Sequence, residues 1–320
     1  MFFAKKITEL YKKNLLVRYD DTGTVHYFTA ADFDGLCAEP FSFVGDKGQD
    51  LRGNIYYYGQ KSSERLVVFD HGMGAGHVAY MKEIEALARR GFTVLSYDHT
   101  GCRNSGGENI GGFSQSLSDL DYCIRAVRAT PGLENISLSV VGHSWGAFSA
   151  LNISAIHKDI THIVAMSGFI SVKEMLRQIF PGILRLYVPA LYRSEKQSLP
   201  DYAAYNAIDS LKKSRAQALI VHSDDDKVSS FKRHFVKMER ALKDRPDTIF
   251  AHATAKGHNP NFTEAAVRIK DAFFADLTEK TKAGYFTDEA KKEEFKAGYD
   301  FGKMSEQDEM FWDGVAGFLN

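Results

Sequence analysis

Ile136-Ser137-Leu138-Ser139-Val140-Val141-Gly142-His143-Ser144-Trp145-Gly146-Ala147 is the stretch from which the rest of the chain can be read. Ile136 to Val141 has the apolar, β-branched character of a strand, and Ala147 to Ala155 continues as a helical run. Between them stands Gly142-His143-Ser144-Trp145-Gly146, a G-x-S-x-G sequence. The spacing has a steric reason. A strand that turns directly into a helix crowds the backbone around the corner residue, and glycines two before and two after it leave room for the turn. The serine is then held at the tip with its hydroxyl exposed, at the positive end of a helix. Ser144 is therefore the first candidate nucleophile.

Outward from this stretch the chain alternates strand, turn and helix. Leu66-Val67-Val68-Phe69 leads into Asp70-His71-Gly72. Met81 to Arg90 reads as a helix stopped by Gly91, and Phe92 to Tyr97 as a strand. Leu117 to Arg128 is amphipathic. Ile163 to Met166, Ala218 to Val221 and Thr248 to Ala251 supply further short apolar strands. This rhythm predicts a mostly parallel sheet covered by helices on both faces. Ahead of it, Val25-His26-Tyr27-Phe28, Phe41 to Val44 and Asn54 to Tyr58 read as hairpin strands at a sheet edge. Residues 170–215 break the alternation. Val172, Met175, Leu176 and Ile179 have the spacing of one helix face, and Pro181, Pro189 and Pro200 punctuate the remainder of the segment. The expectation is a core of residues 1–169 and 216–320 with a helical lid, 170–215, inserted between two strands; ordinary helices packed on the sheet are the alternative. Near the end, Ser305-Glu306-Gln307-Asp308 resembles a capping box before a last helix. The charged stretch from Glu279 to Lys303 reads as a solvated surface helix, with a partner-binding role as its rival.

These features together resemble the α/β-hydrolase superfamily, and within it the serine aminopeptidase/lysophospholipase-like esterases. The resemblance runs from about Phe41 to the C-terminus. Asp98-His99-Thr100-Gly101, followed by Ser105-Gly106, is similar to the group's loop after the fourth strand, with Thr100 where arginine is usual; no chemistry is assigned to it. His71-Gly72-Met73-Gly74 resembles the oxyanion loop, which implies the backbone N–H groups of Met73 and Trp145 as donors to developing negative charge. A serine needs a base. The resemblance implies His258, in Lys256-Gly257-His258-Asn259-Pro260 after the last strand, over His252, which lies too near the strand interior. The base needs an acid, and Val221-His222-Ser223-Asp224-Asp225-Asp226-Lys227-Val228 stands where family members show Gly-x-x-Asp-x-x-Val. Alignment on Val228 implies Asp225, with Asp224 second and His222 in the usual place of glycine. The order Ser144, Asp225, His258 is that of the fold.

The implied chemistry is acyl transfer through a serine-bound intermediate, with no metal and no organic cofactor. His71 and His77 have no matching ligand set around them. A carboxylic ester with a hydrophobic acyl or alcohol part is the expected substrate. Thioesters and small peptides would suit the same triad, and a non-catalytic binding protein of the same fold is the reading from another class. Aspartate in place of Ser144 would be needed for dehalogenase chemistry. With 40 Lys and Arg against 41 Asp and Glu, the chain gives no electrostatic reason for a nucleic-acid partner. No apolar run approaches a membrane-spanning length. Three cysteines without C-x-x-C spacing point to a reduced, cytoplasmic setting. The oligomeric state is not legible.

Overall fold

The computed structural model describes residues 2–74 and 76–320. Eight strands form one sheet in the order β1-β2-β4-β3-β5-β6-β7-β8. They are β1 Leu36–Val44, β2 Asp50–Tyr58, β3 Arg65–Asp70, β4 Thr93–Tyr97, β5 Ser137–His143, β6 Ile160–Met166, β7 Gln217–Ser223 and β8 Thr248–Ala253. β1 pairs antiparallel with β2, and β2 antiparallel with β4. From β4 across to β8 all pairing is parallel. The expected sheet is therefore present, with its hairpin at the edge. The hairpin does not include Val25 to Phe28, which has no strand pairing and lies instead against helices near the C-terminus.

Alternation along β3 shows how the sheet divides its side chains. Leu66 and Val68 point into one core, Val67 and Phe69 into the other, as a pleated strand requires. Helices α1 Phe2–Leu15, α3 Gln115–Ala129 and α4 Trp145–Ile153 cover the first face. Helices α2 Met81–Ala88 and α12 Glu309–Leu319 cover the second. The N-cap of α12 is Asp308, whose carboxylate accepts from Phe311 N, so the cap falls three residues later than the Ser305 signature suggested.

The stretch 170–215 carries α5 Val172–Ile179, a 3-10 segment Gly182–Tyr187, α6 Val188–Ser198 and α7 Ala207–Lys212. It is not uniform. Ser210 in α7 donates to Asn152 in α4 at 2.7 Å, and Ala207 and Leu211 are buried in the main core. In α6 the buried Glu195 accepts from Tyr11 Oη and from Phe113 N at 2.8 Å, which ties that helix to α1 and to the loop before α3. Ahead of α6, in the 3-10 segment, Ile183 and Leu186 project into solvent, 79% and 76% exposed.

After α8 Phe235–Ala241 and β8, the chain forms α9 Glu264–Lys282, α10 Glu289–Ala297 and α11 Phe301–Met304. The charged stretch from Glu279 to Lys303 is solvated on one side only. Lys291, Lys292 and Lys296 pair with Glu294, Glu289 and Glu293 one turn away, each pair contributing little. The other side inserts Phe295, Phe301 and Met304 around Phe273 of α9, with Val25 and Phe28 packed beside them. A third, separate apolar cluster thus joins the N-terminal segment to the C-terminal helices. Phe273 is its fully buried centre. Phe273→Ala should cost about 3–5 kcal/mol, the usual range for emptying a buried aromatic site, read as a lower denaturant midpoint at unchanged slope. A cost under about 1 kcal/mol would mean that the cluster collapses around the gap and is not a fixed unit.

Candidate active site

Ser144 occupies the corner between β5 and α4 at φ 55°, ψ −109°, a backbone position that a residue with a Cβ adopts only under constraint. The glycines on either side explain how the corner closes. A Cβ on Gly142 would stand 2.4 Å from the Gly146 carbonyl oxygen, and one on Gly146 only 1.9 Å from that of Asp70. The corner is thus pressed against the end of β3, where the His71–Gly74 loop begins. Gly72 fits there for the same reason: its Cβ would lie 3.3 Å from Ser144 Cβ and 2.4 Å from Tyr80 Oη. Trp145, whose N–H was an expected oxyanion donor, is the first residue of α4, and Met73 comes after Gly72 along this loop.

His258 lies in the loop after β8, with Nε2 2.8 Å from Ser144 Oγ. Its Nδ1 is 2.8 Å from Asp226 Oδ2. A carboxylate can only accept, so Nδ1 carries the proton and Nε2 of the neutral ring is free to take one from Ser144. The acid beside His258 is therefore Asp226, and the expectation of Asp225 is corrected. Asp225 turns away: its Oδ1 accepts from Ser223 Oγ at 2.5 Å and Gly257 N at 2.9 Å. Asp224 reaches only Thr254 Oγ1, at 3.2 Å, on the surface. Asp226 is selected by its own turn. Its Oδ1 accepts from Val228 N and Ser229 N at 2.8 and 3.0 Å, an Asx turn that leaves Oδ2 aimed at the histidine. His222 Nε2 also lies 3.0 Å from Oδ2 while donating to Ser229 O at 2.6 Å. Burial opposes ionisation of Asp226, but hydrogen bonds from His222 and His258 outweigh it and hold the carboxyl well below its ordinary range.

Two supports were not read from the sequence. His143 Nε2 donates to the His258 carbonyl at 2.7 Å, and Tyr80 Oη donates to His143 Nδ1 at 3.0 Å. Burial, reinforced by the nearby His258, pushes the His143 pKa well down, so the ring stays neutral and keeps this pattern. The only sequence signal was a histidine directly before the serine. The second support lies beneath the His71–Gly74 loop. His99 sits between Asp70 and Asp119, at 3.1 and 3.2 Å. Its backbone N–H donates to His71 Nε2 at 2.9 Å, and His71 Nδ1 donates to the Gly72 carbonyl at 2.6 Å. His77, the other histidine near this loop, is bound to Asp98 Oδ1 at 2.7 Å and Tyr56 Oη at 2.9 Å. The loop that received no chemistry thus holds the neighbouring one in place, with Thr100 bonded to Asp119 through both N and Oγ1 at 2.8 Å.

Among the described residues, no helix is long and apolar enough to cross a membrane. Residues 61–206 match the family model of serine aminopeptidase S33. No curated protein matches the chain in sequence. Among solved structures, an esterase of Pyrococcus furiosus, Pf2001, is similar at 19% identity and a TM-score of 0.59, over 85% of this chain and 97% of that one. The α/β hydrolase GrgF of Penicillium sp. sh18 is similar at 18% identity and a TM-score of 0.53, over 69% and 91%. The esterase domain of a Rhodothermus marinus protein is similar at 16% and 0.51, over 69% and 90%. At such identities the likeness is one of fold.

The buried His99 makes a test of the site's electrostatics. Burial works against its charge, but Asp70 and Asp119 outweigh burial and raise its pKa from 6.5 to about 10. A pKa raised by folding contributes stability that is complete below the unfolded value and is lost as pH rises through the folded one. This contribution should therefore decline between pH 6.5 and about 10. Denaturation across that window, with histidine NMR, should show falling stability and one imidazole still protonated at about pH 8.5; uniform titration of all rings near 6.5 would refute the buried cation.

Proposed function

We propose that the chain is a serine hydrolase of the α/β-hydrolase superfamily that cleaves carboxylic esters through an acyl-enzyme. One observation carries the reading: a continuous chain of hydrogen bonds from Ser144 Oγ through His258 to Asp226, built on a strained serine corner. Such strain is kept where the surrounding structure has a use for it.

In this mechanism His258 Nε2 takes the Ser144 proton as Oγ attacks the ester carbonyl carbon. Asp226, held ionised, fixes the ring tautomer and stabilises the imidazolium that forms. The N–H groups of Met73 and Trp145 receive the oxyanion, a role supported by the close passage of the Gly72 loop against Ser144. His258 then gives its proton to the departing alkoxide, which leaves as the alcohol. Water attacks the acyl group, its proton passing to His258 and on to Ser144, and the carboxylic acid is released.

The match to the serine aminopeptidase model favours one second reading, hydrolysis of small peptides. p-Nitrophenyl esters and aminoacyl p-nitroanilides, assayed side by side, separate the two. Ester hydrolysis is expected, and it should vanish in Ser144→Ala. Asp226→Asn should lose about 10³- to 10⁴-fold in kcat, as removal of the triad carboxylate does elsewhere, while Asp225→Asn stays within a few-fold of wild type. Equal losses in the two aspartate variants would remove Asp226 from the mechanism. Turnover of anilides alone would move the peptide reading to the front.

A further inference from the structure

A lid at residues 170–215 would have the substrate pocket beneath it. The cavity that adjoins the oxyanion loop lies elsewhere. It encloses about 330 Å³, and Gly72, Met73 and Gly74 form part of its wall. No residue between 170 and 215 lines it. Its other walls come from the N-terminal segment, with Tyr27 and Phe28, from α2, and from the C-terminal region, with Phe262, Phe274 and Phe301. The volume is at the small end of ligand clefts and suits a short substituent.

The charges in this cavity are unbalanced. Two lysines line it, Lys82 from α2 and Lys270 from α9. Each rests on an aromatic face, Lys82 Nζ 4.8 Å from the Phe28 ring centre and Lys270 Nζ 4.6 Å from that of Phe262. Lys270 Nζ donates to Asn259 Oδ1 at 2.9 Å, next to the catalytic histidine. Neither lysine forms an ion pair among the described residues. The one carboxyl in the wall, Glu83, is buried and bonded to Asn261 Nδ2 at 3.1 Å. Burial pushes its pKa up to about 7 in spite of Lys270, which weakens it as a counter-charge, and burial also lowers the pKa of Lys270 itself. Ammonium groups on aromatic faces in a recess are partly desolvated, and an incoming anion would relieve that cost. A cationic ligand or a metal ion would be repelled.

We propose that this cavity receives a short acyl or alcohol substituent ending in a carboxylate, with Lys270 and Lys82 as its recognition groups and the aromatic walls around its stem. The inference rests on the esterase reading, because it takes Gly72 and Met73 as the boundary shared with the reacting centre. Hydrophobic esters are then the poorer substrates, and half-esters of short dicarboxylic acids the better ones.

Two measurements separate this proposal from the mechanism beneath it. The first compares kcat/KM for p-nitrophenyl hydrogen glutarate and p-nitrophenyl butyrate in wild type, Lys270→Met and Lys82→Met. Wild type should prefer the glutarate ester by tenfold or more, and the preference should shrink at least fivefold in Lys270→Met. The second is calorimetric titration of free glutarate into the same proteins and Ser144→Ala, with inorganic phosphate as a separate titrant. Glutarate should bind wild type and Ser144→Ala alike, and Lys270→Met at least tenfold more weakly. Lysine-dependent binding of glutarate without cleavage of any ester would retain the pocket and discard the esterase reading. Ester cleavage without preference, together with no binding of glutarate or with binding of phosphate alone, would overturn the pocket and leave the esterase reading intact. Should Lys270→Met lose its thermal transition, Lys82→Met carries the comparison, and an unchanged glutarate affinity there would overturn the proposal.

Discussion

The close approach of the β5–α4 corner to the end of β3 is the contact on which the site depends. The Gly146 α-carbon sits so near the Asp70 carbonyl that no side chain fits between them. That closeness sets Ser144 at a positive φ and brings Gly72 against its side chain. Ser144 N is also held, donating to Met166 O at the end of β6. Three parallel strand ends therefore converge on one residue. Parallel strands place their carboxyl ends, and the loops that leave them, on one edge of the sheet. The loops after β7 and β8 bring Asp226 and His258 to the same edge with no further device.

A strained corner persists only if its neighbours cannot relax, and the buried polar groups nearby supply that resistance. A chain of contacts runs from Asp119 through His99 to His71 and the Gly72 carbonyl. Another runs from Tyr80 through His143 to the His258 backbone. The first is buried and the second partly so, and a bond lost from the first would leave a polar group without water to replace its partner. Movement of the Gly72 loop or of His258 would break several such bonds together. The serine corner, the Gly72 loop and His258 are thereby held in one arrangement, the kind of preorganisation on which the proposed mechanism relies.

Much of this was legible in the sequence because it rests on local rules. The β-branched run, the G-x-S-x-G spacing and the periodic helices were enough to read the sheet, the corner and the place of Ser144 in it. What failed was decided by geometry that residue identity does not carry. Three consecutive aspartates offer three carboxylates, and pattern spacing chose Asp225. The selection was made by an Asx turn in which Asp226 binds the backbone of Val228 and Ser229, one residue later than the pattern allows. Val25 to Phe28 has strand composition, yet it packs its apolar residues on α9 and α11 and joins no sheet edge. The charged stretch before Lys303 read as a solvated helix because its lysines and glutamates outnumber its phenylalanines. Two of those, Phe295 and Phe301, are the residues that determine where it packs.

The division between shared and particular parts of the molecule runs along the same line. The family model covers residues 61–206. That span holds the serine corner and the His71–Gly74 loop pressed against it. The cavity beside them draws Tyr27, Phe28, Phe262, Lys270 and Phe301 from outside it. Chain segments outside the span of the family model thus shape the space beside the Gly72–Gly74 loop. Phe28 and Phe301 meet in the apolar cluster centred on Phe273, and Phe28 also packs against the core on one face of the sheet. A fold arranged in this way can keep one reaction while changing the molecules admitted to it. On the proposed esterase reading, substrate choice is to be sought where the N-terminal segment and the C-terminal helices meet, before the helices that follow β6.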